Sequence, residues 1–307
     1  MELRAPRPGE AESVAALLEA RDVADFGRRD FTLDDLRAEW GNSGFDLARD
    51  ATVCEADGLL AGYAMVRRRG TFGAVAPTHE GRGIGTRLIR WTERRQNELG
   101  WERYVTGVAA GNARARELVL SRGYELSFTS TRLVLRFPAT VVDAPPPAGV
   151  TLRALDPAKD GRAVYEIDGA AFASASDVLP RPYQEFAERH LAAHDLDTSV
   201  SRVAVDADGV AGFAMTRRWA AEGAAYVAIL AVAPASQGRG IGRALLGDVI
   251  RAARADGLNE VQLSVASDNP NALRLYESFG MQGTVAVDVY QRSVAGGPAG
   301  LGARESS

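Results

Sequence analysis

The sequence predicts an α/β fold that is built twice in tandem, and a long internal repeat is the main evidence. The chain has 307 residues, enough for two domains of ordinary size. The segment AVAPTHEGRGIG, which begins at residue 74, matches AVAPASQGRGIG, which begins at residue 231, and this offset of 157 residues persists further along the chain. A repeat of this length indicates duplicated domains. Within each half, strand-like apolar runs alternate with helical patterns, which predicts a mixed, twisted sheet flanked by helices.

The elements follow the same order in both halves. Helices are predicted over Ala11–Ala20 and Leu33–Trp40 in the first half, and over Ala158–Phe172 and Tyr183–Ala193 in the second half. The segment ATVCEA, which contains Cys54, reads as a buried strand. Antiparallel strands, a helix after a glycine loop, a strand, a helix and a last strand complete each half.

A proline-rich seam separates the two halves. Three consecutive prolines with small neighbours predict a semi-rigid linker over 139–149. The sequence therefore predicts a first domain over 1–138 and a second over 150–292. The remaining segment, 293–307, is rich in glycine and alanine and is expected to be disordered.

A strand, a glycine loop and a helix form the central motif of the second half. The apolar run AYVAILAV, which precedes Pro234, predicts a buried strand. After the loop, apolar residues at Ile241, Leu245 and Val249 have the spacing of an amphipathic helix, and Gly257 predicts its end. Free backbone N–H groups at a helix N-terminus attract anions, so this motif predicts a phosphate or pyrophosphate site.

The spacing of the glycines distinguishes between phosphate-binding motifs. A dinucleotide fingerprint requires a glycine where Arg243 stands, and a P-loop requires Gly-Lys-Ser/Thr, which is absent. The pattern present is Gln-x-x-Gly-x-Gly, formed by Gln237, Gly240 and Gly242. This pattern resembles the GNAT acetyltransferase superfamily, in which the loop holds the pyrophosphate of coenzyme A.

A second motif strengthens the resemblance. After the predicted strand EVQLSV, the sequence contains Asn-x-x-Ala-x-x-x-Tyr-x-x-x-Gly at Asn269, Ala272, Tyr276 and Gly280. The resemblance implies that Asn269 bonds the pantetheine arm and that Tyr276 protonates the leaving thiolate. Taken alone, a tyrosine between Leu275 and Phe279 is more often a core residue, and it is the two linked motifs together that favour a functional role.

The resemblance implies acetyl-CoA as co-substrate, and it implies that backbone N–H groups near Leu230–Val232 polarise the thioester carbonyl. The implied acetyl-CoA-binding residues are Leu230, Ala231, Val232, Gln237, Gly238, Arg239, Gly240, Ile241, Gly242, Arg243 and Asn269. No metal is expected. His190 and His194 are four residues apart on a predicted helix, but no carboxylate lies between them, so a solvated helix face is favoured.

The halves differ at the positions that would perform chemistry. The first half has Val119 at the place of Tyr276 and Glu80 at the place of Gln237, and its fourth strand is shorter. We therefore expect a catalytic second domain and a degenerate first one. The first domain is expected either to hold acetyl-CoA or only to support its partner. The residues that would bind acetyl-CoA there are Gly81, Arg82, Gly83, Ile84 and Gly85.

The general base is not identified by the sequence. The tandem layout resembles that of the mycothiol synthases, which carry a glutamate early in the fourth strand. Tyr226 stands at that position here, and the nearest acid is Glu222, in a predicted loop. Either Glu222 or a bound water is therefore the candidate base.

Composition excludes several other classes of function. The net charge of −4 does not favour general nucleic-acid binding. No apolar run has the length of a membrane span, and the N-terminus lacks a signal-peptide core. With a single cysteine, Cys54, an intramolecular disulfide is excluded. A cytoplasmic protein is expected, and a monomer is consistent with a tandem pair that imitates a dimer.

The function predicted from these features is acetyl-CoA-dependent N-acetylation of a primary amine by direct transfer. The acceptor is expected to be a small molecule or an N-terminal amine. The alternative is a non-catalytic acyl-CoA-binding or regulatory module with the same fold.

Overall fold

The computed structural model describes residues 1–42, 44–67, 70–139, 142–173, 182–220 and 222–294. The chain divides into two compact units. Unit 1 comprises residues 1–129 and the chain from Val287 onward, and unit 2 comprises residues 130–286. Most of the predicted disordered tail, 295–307, lies outside the described residues, whereas Ser293 ends a strand.

The secondary structure follows the predicted order in both halves. The first half contains β1 (Glu2–Arg4), α1 (Ala11–Phe26), α2 (Leu33–Trp40), α3 (Leu47–Asp50), β2 (Ala51–Ala56), β3 (Leu59–Arg67), β4 (Gly70–Val75), α4 (Ile84–Glu98), β5 (Arg103–Ala109), α5 (Ala113–Ser121) and β6 (Glu125–Arg136). The second half contains β7 (Thr151–Ala154), α6 (Pro157–Ala171), α7 (Tyr183–Phe186), β8 (Arg202–Asp206), β9 (Gly209–Trp219), β10 (Ala224–Val232), α8 (Ile241–Ala255), β11 (Glu260–Ala266), α9 (Pro270–Glu277) and β12 (Gln282–Ser293).

Local capping explains where several helices begin and end. The Thr32 side chain accepts a hydrogen bond from the Asp35 backbone N–H, and Asp35 bonds back to the Thr32 N–H, so α2 begins with a capping box. Helix α6 begins with Asp156 as its cap. Helix α1 extends beyond the predicted Ala20, to Phe26, because the left-handed Gly27 that ends it lies further on.

One predicted helix is not a continuous α-helix. The segment predicted over Tyr183–Ala193 forms α7 and then a π-helical turn over Ala187–Leu191. A π-helical turn inserts a wider backbone ring into the helix. The apolar periodicity was therefore a correct guide to a helical segment here but not to its hydrogen-bonding pattern.

Each unit contains a mixed sheet, as predicted. In unit 1 the order is β1, β2, β3, β4, β5, β12, and in unit 2 it is β6, β11, β10, β9, β8, β7. The pairs β4–β5 and β10–β11 are parallel, and the other pairings within the units are antiparallel. Residues 130–136 pair with β11, and residues 287–293 pair with β5. Each unit is therefore completed by a strand from the other half of the repeat.

Helix α8 covers one face of the unit 2 sheet through its apolar side. Ile241, Leu245, Val249 and Ile250 are all at most 1% exposed. Burial of each such side chain stabilises the fold by about 1.5–3 kcal/mol. The predicted amphipathic pattern is confirmed, and Gly257 follows the helix end with a φ of 75°.

Part of the predicted linker packs against unit 2. Ala144 is 2% exposed and belongs to the same apolar core as α8. A Cβ built on Gly247 of α8 would lie 2.7 Å from the Ala144 Cβ, so the linker approaches α8 closely because residue 247 has no side chain. Cys54 is fully buried, as predicted. Among the described residues, no helix has the length and apolar character needed to cross a membrane.

This close approach predicts opposite effects for two glycine substitutions in helices. Gly247→Ala is expected to lower the free energy of unfolding by about 1–3 kcal/mol, because neither Cβ can move aside without shifting backbone. Gly169→Ala, in α6 with open space around it, is expected to raise it by about 0.5–1 kcal/mol. Denaturant unfolding followed by circular dichroism measures both.

A second substitution separates the clash from any intrinsic effect of alanine in α8. Ala144→Gly in the Gly247→Ala background removes the opposing methyl group and should restore most of the lost stability. A double variant as unstable as Gly247→Ala would show that the linker contact is not the cause.

Candidate active site

The parallel strands β10 and β11 separate part of the way along their length. Their ladder joins Ala224–Val227 to Glu260–Leu263, and a bulge follows in β10 between Val227 and Ile229. Beyond that point β10 continues to pair with β9 on its other side. The separation leaves an opening in the sheet that is bordered by the second part of β10.

The predicted polarising N–H groups lie along this opening. The Ala233 N–H donates to the Ala211 carbonyl across the β9 side, at 2.9 Å. Because N–H directions alternate along a strand, the Ala231 N–H also points towards β9, whereas the N–H groups of Leu230 and Val232 point into the opening. Two of the three predicted residues thus present backbone donors to it, and Ala231 does not.

The glycine loop places further donors at the end of the same strand. Gly238 and Gly240 have φ values of 76° and 87°, a conformation that side-chain-bearing residues rarely adopt. Gly240 caps α8, whose first hydrogen bond runs from the Ala244 N–H to the Gly240 carbonyl. The N–H groups of Ile241, Gly242 and Arg243 therefore have no partner within the helix, and they carry the positive end of its dipole. This arrangement suits an anion.

The side chains of the loop make contacts that hold its shape. Gln237 donates from Nε2 to the Val232 carbonyl at 3.2 Å, which ties the loop to the end of β10. Arg239 pairs with Asp206 at 2.9 Å. Arg243 donates to the Ser278 hydroxyl at 2.8 Å and lies over the Phe279 ring, 5.0 Å from its centre. Both arginines are therefore engaged with side chains of the protein itself.

Asn269 begins α9 and has a structural role there. Its Oδ1 accepts a hydrogen bond from the Ala272 N–H at 3.1 Å, which is a helix N-cap. The described residues provide a bond to Oδ1 but none to Nδ2. The amide therefore retains a donor for a ligand while its oxygen caps the helix.

Tyr276 combines a core position with an unpartnered hydroxyl. The side chain is 8% exposed and belongs to the apolar core under α8 and α9. Among the described residues, no hydrogen-bond partner is found for its hydroxyl. Burial raises the pKa of Tyr276 to about 12, and the nearby Tyr226 adds to this effect. The phenol therefore remains protonated at neutral pH, as a proton donor requires.

Sequence reasoning did not identify the polar group around Tyr226. The Tyr226 hydroxyl donates to the Ser264 hydroxyl at 3.2 Å, on the strand beyond the ladder. The Tyr226 ring stacks on Trp219 with centroids 4.3 Å apart, and Arg132 covers Trp219 at 5.1 Å. The serine within the apolar strand EVQLSVA was the one available signal, since period-two alternation puts Ser264 on the same face as Tyr226.

Glu222 lies outside this group. It is exposed in the turn before β10, where the Gly223 N–H bonds the Ala220 carbonyl. The Glu222 carbonyl accepts a hydrogen bond from Asn259 Nδ2 at 3.4 Å. Glu222 and Gly223 form this turn, and β10 begins only at Ala224, two residues before Tyr226. Within the described ranges, no three His, Cys, Asp or Glu side chains are grouped to hold a metal ion.

Unit 1 contains an equivalent opening. Strands β4 and β5 pair at Thr71 and Thr106, and β4 is shorter than β10, as predicted. A cleft of about 980 Å³ runs along this opening. Gly81, Gly83, Ile84 and Gly85 line the cleft, and Val119 stands in its wall at the place of Tyr276. Arg82 instead pairs with Asp57 at 2.6 Å.

The polar side chains around the glycine loop of unit 1 have more partners within the described protein than their counterparts in unit 2. Glu80 forms ion pairs with Arg21 and, at 3.7 Å, with Arg114, so its charge at the loop is offset. Asn112 caps α5 through Oδ1, and its Nδ2 donates to Asp25 at 3.1 Å. The amide donor that is open on Asn269 is thus occupied in unit 1.

Comparisons with known proteins agree with this geometry. The profile of the acetyltransferase (GNAT) family matches residues 14–124 and 162–281. A mycothiol acetyltransferase from Streptomyces avermitilis is 30% identical over 299 residues, which cover 91% of this chain and 90% of the relative. A mycothiol acetyltransferase from Geodermatophilus obscurus is 31% identical over 300 residues, which cover 93% and 94%.

Solved structures of tandem architecture are also similar. A GCN5-related N-acetyltransferase from Sphaerobacter thermophilus has a TM-score of 0.78 at 26% identity, with 95% of each chain covered. A tandem GNAT protein from the clavulanic acid biosynthesis pathway has a TM-score of 0.68 at 17% identity and covers 97% of this chain and 100% of that one. The second likeness supports the fold alone.

The capping role of Asn269 can be separated from the rest of its chemistry. Asn269→Ala is expected to lower the free energy of unfolding by about 1 kcal/mol, because the Ala272 N–H loses its acceptor. Asn269→Asp keeps an acceptor at the helix N-terminus and should leave stability unchanged or slightly higher. Denaturant unfolding of both variants tests this, and equal losses would contradict a capping role.

Proposed function

This chain belongs to the acetyltransferase (GNAT) family, and from that premise we propose that unit 2 transfers the acetyl group of acetyl-CoA directly to a primary amine. Acetyl transfer is the activity of the family. The observation that carries the assignment to unit 2 is the position of Tyr276. Its hydroxyl is protonated and has no hydrogen-bond partner among the described residues, and α9, which carries it, follows β11 at the border of the opening.

The residues of unit 2 fit acetyl-CoA. The N–H groups of Ile241, Gly242 and Arg243 would hold the pyrophosphate. The opening between β10 and β11 would take the pantetheine arm, and Asn269 would donate to it from Nδ2. Bound there, acetyl-CoA supplies an activated acetyl thioester.

Direct transfer divides the proton movements between the two reactants. The acceptor must lose its ammonium proton, since an amine with a pKa near 10 is mostly protonated at neutral pH. Its nitrogen then forms a bond to the carbonyl carbon, while the N–H groups of Leu230 and Val232 stabilise the oxyanion. As the carbon–sulfur bond breaks, Tyr276 gives its proton to the thiolate. The second proton lost by the amine nitrogen goes to the base or to water, and the Tyr276 phenolate regains a proton from solvent water.

The candidates for the base are Glu222 and water. Glu222 is exposed in the turn before β10. For Glu222 to accept the proton directly, the acceptor would have to extend towards that turn. For a compact acceptor, solvent water at the opening is the shorter route, and water can carry the proton away.

Unit 1 lacks the hydroxyls that support this mechanism in unit 2. At the repeat offset, Val119 replaces Tyr276 and Gly107 replaces Ser264. We therefore assign unit 1 a non-catalytic role. Its cleft, with Gly81, Gly83, Ile84 and Gly85 along the wall, is a candidate second acetyl-CoA site, and support of unit 2 is the alternative.

The names of the relatives indicate a class of acceptor. They are called mycothiol acetyltransferases, so mycothiol lacking its acetyl group is one candidate small-molecule acceptor. The tyrosine at position 226, where mycothiol synthases carry a glutamate, favours a different amine. The same substitution is the best support for the second candidate function, a non-catalytic acyl-CoA-binding or regulatory module.

Removing the Tyr276 hydroxyl tests the proposed enzyme. Tyr276→Phe is expected to reduce turnover at least about tenfold, with acetyl-CoA binding unchanged, because the thiolate loses its proton donor. The measurement is thiol release from acetyl-CoA with a panel of primary amines, including mycothiol lacking its acetyl group. Tyr104→Phe, in unit 1, is the matched control, since its hydroxyl bonds Asn97. Unchanged turnover in Tyr276→Phe would remove Tyr276 from the mechanism.

Exchanging the first residue of each glycine loop tests which unit is catalytic. Gln237→Glu places a carboxylate beside the proposed pyrophosphate site and should raise the KM for acetyl-CoA at least about fivefold, which corresponds to the repulsion of about 1 kcal/mol between unit charges about 4 Å apart in water. Glu80→Gln, the reciprocal change in unit 1, should leave the KM for acetyl-CoA unchanged. Steady-state kinetics with acetyl-CoA varied would contradict the assignment if only Glu80→Gln had an effect.

A further inference from the structure

The hydroxyl of Tyr226 lies next to the position where the proposed reaction takes place. The Tyr226 hydroxyl bonds Ser264 near the end of β11, the strand that leads into α9, and α9 carries Tyr276. Tyr226 is also the residue before Val227, where the parallel ladder with β11 ends. If Tyr276 contacts the leaving sulfur, the Tyr226 hydroxyl borders the path by which an acceptor reaches the thioester.

In the hydrogen bond between Tyr226 and Ser264, the geometry determines which hydroxyl is the donor. The phenol O–H donates to the Ser264 hydroxyl oxygen. A phenolic oxygen that donates its own proton still has lone pairs with which to accept a hydrogen bond. The free lone pairs of Tyr226 are therefore available to an N–H donor that enters the opening.

Trp219 fixes the tyrosine rather than binding a ligand. One face of its indole ring is covered by Tyr226, nearly parallel at 5°, and Arg132 lies over the ring at 5.1 Å. An indole sandwiched in this way presents no open face to a sugar or a cation. Its role is to hold the phenol in one orientation.

We propose that Tyr226, oriented by Ser264 and Trp219, accepts a hydrogen bond from the amine of the acceptor and so directs the nitrogen lone pair at the thioester carbon. This inference rests on the proposed function of unit 2. The group at this position is a phenol, which in this role serves as a hydrogen-bond acceptor. With water as the base, the pKa of the acceptor amine itself governs the reaction.

This role predicts a distinctive pH dependence. The rate constant kcat/KM for the amine should rise about tenfold per pH unit up to the pKa of the amine, because the deprotonated fraction rises in this way. Tyr276, with a pKa of about 12, remains protonated over that range, so it adds no fall in rate. In Tyr226→Glu the carboxylate can accept the proton, and the rise should begin at a lower pH.

The closing experiment compares wild type, Tyr226→Phe, Tyr226→Glu and Ser264→Ala, with thiol release followed as a function of pH and of amine concentration. In Tyr226→Phe, the KM for the amine should rise roughly five- to tenfold, as expected for one lost hydrogen bond, while acetyl-CoA binding stays unchanged. Ser264→Ala should have a smaller effect in the same direction. Tyr104→Phe should behave as wild type.

The outcomes separate this inference from the proposed function. If wild type turns over and Tyr226→Phe has the same amine KM and the same pH profile, the proposed role of Tyr226 is wrong. The proposed transferase activity then still stands. The role is also wrong if the pH profile of kcat/KM levels off well below the pKa of the amine, and does so equally in wild type and in Tyr226→Phe. Another group then acts as the base. If acetyl-CoA binds but no amine is turned over, the proposed transferase activity is wrong, and so is the inference that rests on it.

Discussion

The separation of β10 from β11 after Val227 is the constraint on which the site depends. A parallel pair that continued to the ends of both strands would consume the N–H groups of Leu230 and Val232 in its ladder. The bulge between Val227 and Ile229 turns the rest of β10 away from β11 while β9 still holds its other edge. Backbone donors that a regular sheet would satisfy are thereby released to a ligand.

The glycine loop likewise leaves backbone N–H donors without partners in the helix, at the start of α8. Left-handed Gly238 and Gly240 turn the chain from the strand into α8, so the helix N-terminus follows directly after the opening. The anion site and the oxyanion donors are both backbone groups, held by a sheet and a helix whose apolar faces are fully buried. Such groups are preorganised, because no side-chain rotamer has to be ordered when the ligand binds.

The two units preserve this backbone arrangement but differ in the side chains around it. In unit 1, Arg21 and Arg114 neutralise Glu80, and Asp25 occupies the amide of Asn112. In unit 2, the Asn269 amide and the Tyr276 hydroxyl are left for a ligand. The two units share the scaffold, and they differ in how far their polar groups are paired internally among the described residues.

The sequence by itself determined the duplication, the order of elements, the glycine loop and the apolar face of α8. These follow from local periodicity and from glycine conformation, which a few neighbouring residues decide. Tertiary structure decided which unit each last strand completes, because strands 130–136 and 287–293 find their partners through register with distant residues. It also brought Tyr226, Ser264 and Trp219 together from three neighbouring strands. No sequence spacing connects these three side chains, since their proximity arises from the pairing of the strands.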